Sequence, residues 1–273
     1  MKLVTFINLS YADIAYNLYL QLKKVNLHKN LVIYTPSDNA IKYLEKLNIE
    51  CDIQKYYPIL FKDSFNDLIW SDVHVKCAHG NNAYTTFQFI KHDCVYQLLQ
   101  HNEYVCLLDA DMMVFANFEN HIKELFESEK FGNDGISSFG FKYYLNINVS
   151  VDNNSTDKYG WIGKHSMINT GFMVTYQSDY TLQTIENYSK LFTPHFGKHS
   201  GNIDEHVLTK YFSYGSHSSN ICSIPDSINT LSDCGNIYTP NKIKKLSCDT
   251  FHPTFVGEDK IDFIKQCDQW FVE

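Results

Sequence analysis

Residues 104–118 read Tyr104-Val105-Cys106-Leu107-Leu108-Asp109-Ala110-Asp111-Met112-Met113-Val114-Phe115-Ala116-Asn117-Phe118, and the rest of the chain is organised around this stretch. Tyr104 to Leu108 is mostly apolar and β-prone, the pattern of a buried strand. Two carboxylates, Asp109 and Asp111, follow directly, and Met112 to Phe115 is apolar again. Enclosing two ionised aspartates between apolar segments is costly unless opposite charge compensates them. A strand that ends in two acids therefore points to a cation, and with Ala110 in a turn both acids can reach the same one. A hard divalent ion held by one or two carboxylates completes its shell with water and substrate phosphates. An isolated Asp-x-Asp is more often a solvated strand-to-turn junction, so the surrounding sequence has to decide.

The 273 residues can bury a large core, and 44% apolar against 20% charged residues is the balance of a globular protein. The net charge of -8 argues against a nucleic-acid backbone or an anionic membrane as the main partner. All 23 basic residues are Lys, so phosphate contacts must come from Lys, backbone N–H groups or metal, without guanidinium forks. The eight cysteines contain no C-x-x-C pair, and several sit in apolar stretches as small hydrophobes. There is no N-terminal signal-like h-region and no apolar run of the roughly 18–20 residues that a membrane helix needs. The expectation is a soluble, cytoplasmic protein with free thiols and unused Asn-x-Ser/Thr sequons.

Upstream of the central stretch, Lys2 to Asn8 reads as a strand and Ser10 as the cap of a helix carrying Ile14, Leu18 and Leu22. A strand at Leu31 to Tyr34 and a helix over 38–47 follow. This alternation predicts an α/β fold with a mostly parallel sheet flanked by helices, which binds ligands beyond the carboxyl ends of its strands. Residues 56–83 read as loop with short helical turns, and a helix from Thr85 leads into the Tyr104 strand. Lys91 falls beside the apolar stripe of that helix, by itself the position of a solvated lysine. Downstream come a helix over 117–127, strands at 135–139 and 168–176, a polar insert (146–164) and helices at 180–191 and 204–212. Asp204 reads as an N-cap. The tail from Asn220 is loop-rich and ends in an amphipathic helix from Lys260 to Phe271. Without repeats or linkers, one domain over 1–273 is the simplest organisation.

Several motifs, in order, resemble the nucleotide-sugar glycosyltransferases of the GT-A fold, a Rossmann-like architecture. The resemblance is to the retaining group that contains glycogenin and the bacterial α-galactosyltransferases. It rests on Asn8-Leu9-Ser10-Tyr11 after strand one and on Lys91 upstream of Leu107-Leu108-Asp109-Ala110-Asp111. Further along lie Ile168-Asn169-Thr170-Gly171-Phe172, Asp204-Glu205, His252 and Gly257-x-x-Lys260. The resemblance implies a UDP-sugar donor, with Asn8 on the base, Tyr11 stacked on it, Lys91 and Gly171 at the donor, and Asp109 on ribose and metal. It further implies a metal held by Asp109, Asp111 and His252, a diphosphate on Gly257 and Lys260, and Asn169, Asp204 and Glu205 at the reacting sugar. Residues 1–115 would form the nucleotide-binding half, and 116–273 the donor-sugar and acceptor half with the C-terminal metal and diphosphate segment. Two oxygens and one imidazole suit Mn²⁺, with Mg²⁺ as the other candidate. The acceptor would be a glycan or another hydroxyl.

The chain departs from the family pattern at Glu205, where glutamine is usual. It departs again in a His-to-Gly interval two residues longer than usual, and in Ile261-Asp262 after Lys260 in place of Pro-Trp. A carboxylate at 205 opens the alternative of an inverting transferase with Glu205 as base. A nucleotidyltransferase would need a Gly-rich, basic loop after strand one, which Asn-Leu-Ser-Tyr is not. A non-catalytic nucleotide-sugar-binding protein would use the same groups.

Overall fold

The computed structural model describes residues 1–60, 82–128, 139–147, 165–191, 203–214, 221–232, 238–254 and 260–272. Strand β1 (Lys2–Phe6) continues through helix α1 (Ala12–Lys24) to the parallel strand β2 (Leu31–Thr35). Helix α2 (Asp38–Lys46) then leads to the edge strand β3 (Asp52–Lys55). Helix α3 (Asn82–Leu99) delivers the chain to β4 (Tyr104–Leu108), parallel to β1 on its other side. Next come β5 (Met113–Val114), α4 (Glu119–Ser128), β6 (Phe139–Ile147), β7 (His165–Tyr176), α5 (Asp179–Lys190) and α6 (Ile203–Tyr214). The tail supplies β8 (Ile221–Ser223), β9 (Asn229–Leu231), the single helical turn α7 (Pro240–Ile243), β10 (Thr250–His252) and α8 (Lys260–Gln266).

Among the described residues the main sheet has seven strands in the order β3-β2-β1-β4-β7-β6-β8, and β5-β10-β9 form a second, small sheet. Only β7 runs against its neighbours in the main sheet, pairing antiparallel with both β4 and β6. Both faces of the main sheet are covered, which explains why its central strands read as continuous apolar runs. Leu3, Ile33, Cys106, Leu108 and Val174 face one core with α1, while Val4, Val32, Val105, Leu107 and Met173 face the other with α3, α5 and α6. The six described cysteines (51, 94, 106, 222, 248 and 267) are free thiols. No helix among the described residues is long and apolar enough to cross a membrane.

Several local expectations need correction. Ser10 does not cap α1: a 3-10 turn, Leu9–Tyr11, intervenes, and the Ser10 hydroxyl donates to Asn8 Oδ1 at 2.7 Å. Serines do cap two other helices: Ser37 Oγ accepts from the Ala40 N–H at 3.1 Å at the start of α2, and Ser178 Oγ from the Thr181 N–H at 3.1 Å at the start of α5. Strand β3 escaped the sequence reading because three of its four residues are exposed, so an edge strand left no apolar pattern. The strand expected over 135–139 meets the described residues only at Phe139 and runs on to Ile147. Asp204 lies inside the first turn of α6, which begins at Ile203, and is not its N-cap. Helix α8 stops at Gln266 rather than Phe271, because Asp268 adopts φ 59°. The chain beyond folds onto α1, where Asn17 Nδ2 donates to Gln269 O at 2.9 Å and the Phe271 N–H donates to Asn17 Oδ1 at 2.7 Å.

Candidate active site

The acids emerge from the C-terminal end of β4, the edge at which a parallel α/β sheet binds ligands. The Met112 N–H donates to Asp109 O at 3.0 Å, closing the turn around Ala110 that lets both carboxylates face one point. The neighbouring strand fixes the turn's position: the Asp109 N–H donates to Gly171 O at 2.8 Å, continuing the Leu108–Phe172 register. Met113 and Val114 then leave the main sheet to pair antiparallel with β10, placing Phe251 opposite Met113. That pairing returns the tail to the turn and seats His252 beside it.

One donor atom each from Asp109, Asp111 and His252 lie within 4.8 Å of one another. His252 Nε2 is 3.6 Å from Asp109 Oδ2 and 3.5 Å from Asp111 Oδ1. Asp111 and His252 are buried and Asp109 is partly open, so the cluster faces outward through one acid. Two carboxylates and one imidazole are chemically suited to a hard or borderline divalent cation.

Two lysines supply positive charge. Lys91, on α3, is 5% exposed and donates to Asp109 Oδ1 at 3.2 Å, so it lies against the acid and not in solvent. Lys260, the first residue of α8, contacts Asp111 Oδ2. Burial by itself would raise the Asp111 carboxyl, but Lys260 and His252 outweigh it and hold Asp111 well below the usual carboxylate range. The partner effect on Lys260 has the opposite sign: burial opposes its charge, and Asp111, with Asp109 and Tyr11, overrides burial and raises its pKa.

The remaining predicted residues fall into three groups. Asn169, Gly171 and Glu205 adjoin the cluster: Asn169 Oδ1 is 3.1 Å from His252 Nδ1, and Asn169 Nδ2 donates to Glu205 Oε1 at 2.9 Å. The Thr170 N–H also donates to Glu205 Oε1, at 3.4 Å. Asn8 and Tyr11 lie at the end of β1 on the same sheet edge. Asn8 is 2% exposed, and its buried Nδ2 has no hydrogen-bond partner among the described residues. Gly257 and the side chain of Asp204 lie outside the described residues.

Two residues of α3 were not singled out in the sequence. Phe87 has its ring centroid 6.5 Å from that of Tyr11 and 4.8 Å from that of Phe6. Its spacing of four from Lys91 placed both on one helix face, the signal that was available. Asp93, fully buried on α3, accepts from Tyr56 Oη at 2.6 Å and from the Ile59 N–H at 2.8 Å, tying down the chain after β3. Burial pushes its carboxyl up, and these hydrogen bonds oppose that shift.

The strand-end acids, the buried basic residue and the polar end of β1 all lie at the carboxyl edge of the sheet, where parallel α/β folds bind ligands. The chain belongs to the nucleotide-diphospho-sugar transferase family, whose model matches residues 26–271. Its fold is shared with the galactosyltransferase LgtC in complex with donor and acceptor sugar analogues, at 10% identity and a TM-score of 0.55, covering 99% of this chain and 96% of that one. Mouse xyloside xylosyltransferase 1 is similar at 12% identity and a TM-score of 0.52, covering 94% and 99%. The bifunctional glycosyltransferase WbbM is similar at 13% identity and a TM-score of 0.56, covering 98% of this chain and 49% of WbbM. No curated protein sequence matches the chain. By family and fold, the chain is a nucleotide-sugar glycosyltransferase of the GT-A type.

Proposed function

We propose that the protein transfers a sugar from a UDP-sugar to a hydroxyl of a glycan or other acceptor, with a divalent cation and with retention of anomeric configuration. The observation that carries this reading is the convergence of Asp109, Asp111 and His252 at the β4 edge, flanked by Lys91 and Lys260. Breaking the anomeric C–O bond leaves negative charge on the diphosphate, and catalysis requires that charge to be met in the transition state. A cation held by the three residues, Mn²⁺ or Mg²⁺, would supply Lewis-acid charge to that leaving group. Lys260 and the Gly257 backbone add to it. Asn8 takes the base through its buried amide, Tyr11 stacks on it, and Lys91 holds Asp109 in position for ribose. Gly171 adjoins the donor, and Asn169 and Asp204 keep the sugar in a near-attack position. The two halves divide accordingly, 1–115 for the nucleotide and 116–273 for sugar and acceptor.

The surroundings of Glu205 favour the retaining of the two stereochemical readings. It is 6% exposed, and its Oε1 already accepts from Asn169 and the Thr170 backbone, which suits a support role better than a base that must reach an acceptor hydroxyl. A front-face, retaining displacement needs no such base. One fold relative is an active-site glutamine-to-glutamate variant of LgtC, the same pair of side chains that separates this chain from the family pattern. The test is UDP release from a panel of UDP-sugars with Mn²⁺ or Mg²⁺, followed by NMR of the product anomer. Cation-dependent release that a chelator abolishes, with the donor's configuration kept, is expected. Tight UDP-sugar binding without turnover, or an inverted product, would overturn it.

A further inference from the structure

The hydrogen bonds behind His252 have only one consistent direction. The Gly171 N–H donates to Asn169 Oδ1 at 3.1 Å, and a backbone N–H cannot accept, so that atom is the amide oxygen. The same oxygen lies 3.1 Å from His252 Nδ1, which must therefore carry a proton and donate. Nε2, the ring nitrogen 3.6 and 3.5 Å from the two acids, is left as the metal-facing atom. Behind the amide, the Thr170 N–H marks Glu205 Oε1 as an acceptor, so Asn169 Nδ2 donates to it, and the amide cannot flip without losing both contacts. Asn169 is 0% exposed and Glu205 6%. Space is fixed as firmly as direction: a Cβ on Gly171 would overlap the His252 ring.

We infer that Asn169 and Gly171 form the seat of the metal-binding histidine, with Glu205 locking the seat. On this inference Asn169, beside the sugar-side role proposed above, is also a positioning residue that acts through His252. It orients the ring, holds the Nδ1–H tautomer and presents Nε2 to the cation, the role that outer partners of a ligating histidine commonly play. Gly171 is glycine because the imidazole lies against its Cα. The inference rests on the reading that Asp109, Asp111 and His252 hold a cation.

Mn²⁺ affinity, measured by titration calorimetry or EPR without substrate, tests both levels separately. His252→Ala and Asp111→Asn must each weaken Mn²⁺ binding at least about tenfold. If neither does, the cation reading itself fails. Given that they do, Asn169→Leu and Gly171→Ala are expected to weaken it by about 10–100-fold in protein that keeps its unfolding midpoint. Parental Mn²⁺ affinity in Asn169→Leu and Gly171→Ala would overturn the seat while leaving the cation reading intact. Should either variant fail to fold, long-range ¹⁵N–¹H NMR of the unsubstituted, metal-free protein decides the matter. A neutral His252 ring protonated at Nδ1 supports the seat, and one protonated at Nε2 overturns it.

Discussion

The two sheets that meet at the acids are built very differently. In the main sheet β1, β2 and β4 are buried almost throughout, gripped between two large apolar clusters. The small sheet consists of strands of two or three residues over a modest cluster of Met113, Ile243, Phe251, Phe263, Ile264 and Cys267. The large core fixes the carboxylates through β4, and the small one fixes His252 through β10. The difference teaches that global stability and the integrity of the site are held by separate packing, joined at the turn around Ala110.

Equal damage to the two cores should therefore have unequal consequences. Leu3→Ala and Phe251→Ala each remove a fully buried side chain and should cost about 2–5 kcal/mol in urea unfolding. Only Phe251→Ala is expected also to weaken Mn²⁺ binding in the folded protein, because the adjacent His252 moves with its strand. Equal losses of Mn²⁺ affinity in both variants would break the comparison. Asp111→Asn should reverse the pattern, lowering metal-dependent UDP release by about 10²–10³-fold while the fold is retained. Full activity in that variant with chelator present would contradict the site.

Lys91 belongs to the large-core side, and Lys91→Met leaves Asp109 without its buried cation partner. A fall in kcat/KM of about 10–100-fold for the donor is expected. The smallest effect lies on the seam, where exposed His121 of α4 pairs with Asp249 beside β10 at 2.6 Å. The Asp249 carboxylate raises the His121 pKa. With the folded pKa above the unfolded one, this contribution is complete below the unfolded value, about 6.5, and is lost as pH rises through the folded value. Thermal melts should lose no more than about 2–4 °C across that window from this pair, and His121→Ala should remove the difference.

Legibility in the sequence followed the same division. The strands and helices of the parallel half were readable because residues buried on both faces form apolar runs, and Ile14, Leu18 and Leu22 recur at helical spacing. The Asp109 and Asp111 pair was readable because acids enclosed by apolar segments demand an explanation. β3 was hidden by its exposed edge, and the strand character of Ile221–Ser223 and Asn229–Leu231 by brevity, since three residues carry no period. A basic residue beside an apolar stripe looks the same whether water or a buried carboxylate awaits it, so the stripe by itself could not place Lys91, and only the family resemblance put it at the donor.

The amino-acid order by itself determined the α/β alternation, the sheet edge that carries the acids and the residue types available to a cation and a diphosphate. Local periodicity and the cost of enclosed charge are properties of short stretches, and such stretches can be read one at a time. Tertiary structure decided that His252 returns to Asp109 and Asp111, which the resemblance had implied and no local pattern could show, that Lys91 is buried against Asp109 and that Asn169 faces the imidazole rather than solvent. Those outcomes depend on the antiparallel entry of β7 and the pairing of β5 with β10. Contacts between distant segments are set by which surfaces can be buried together, and no single stretch of sequence records that.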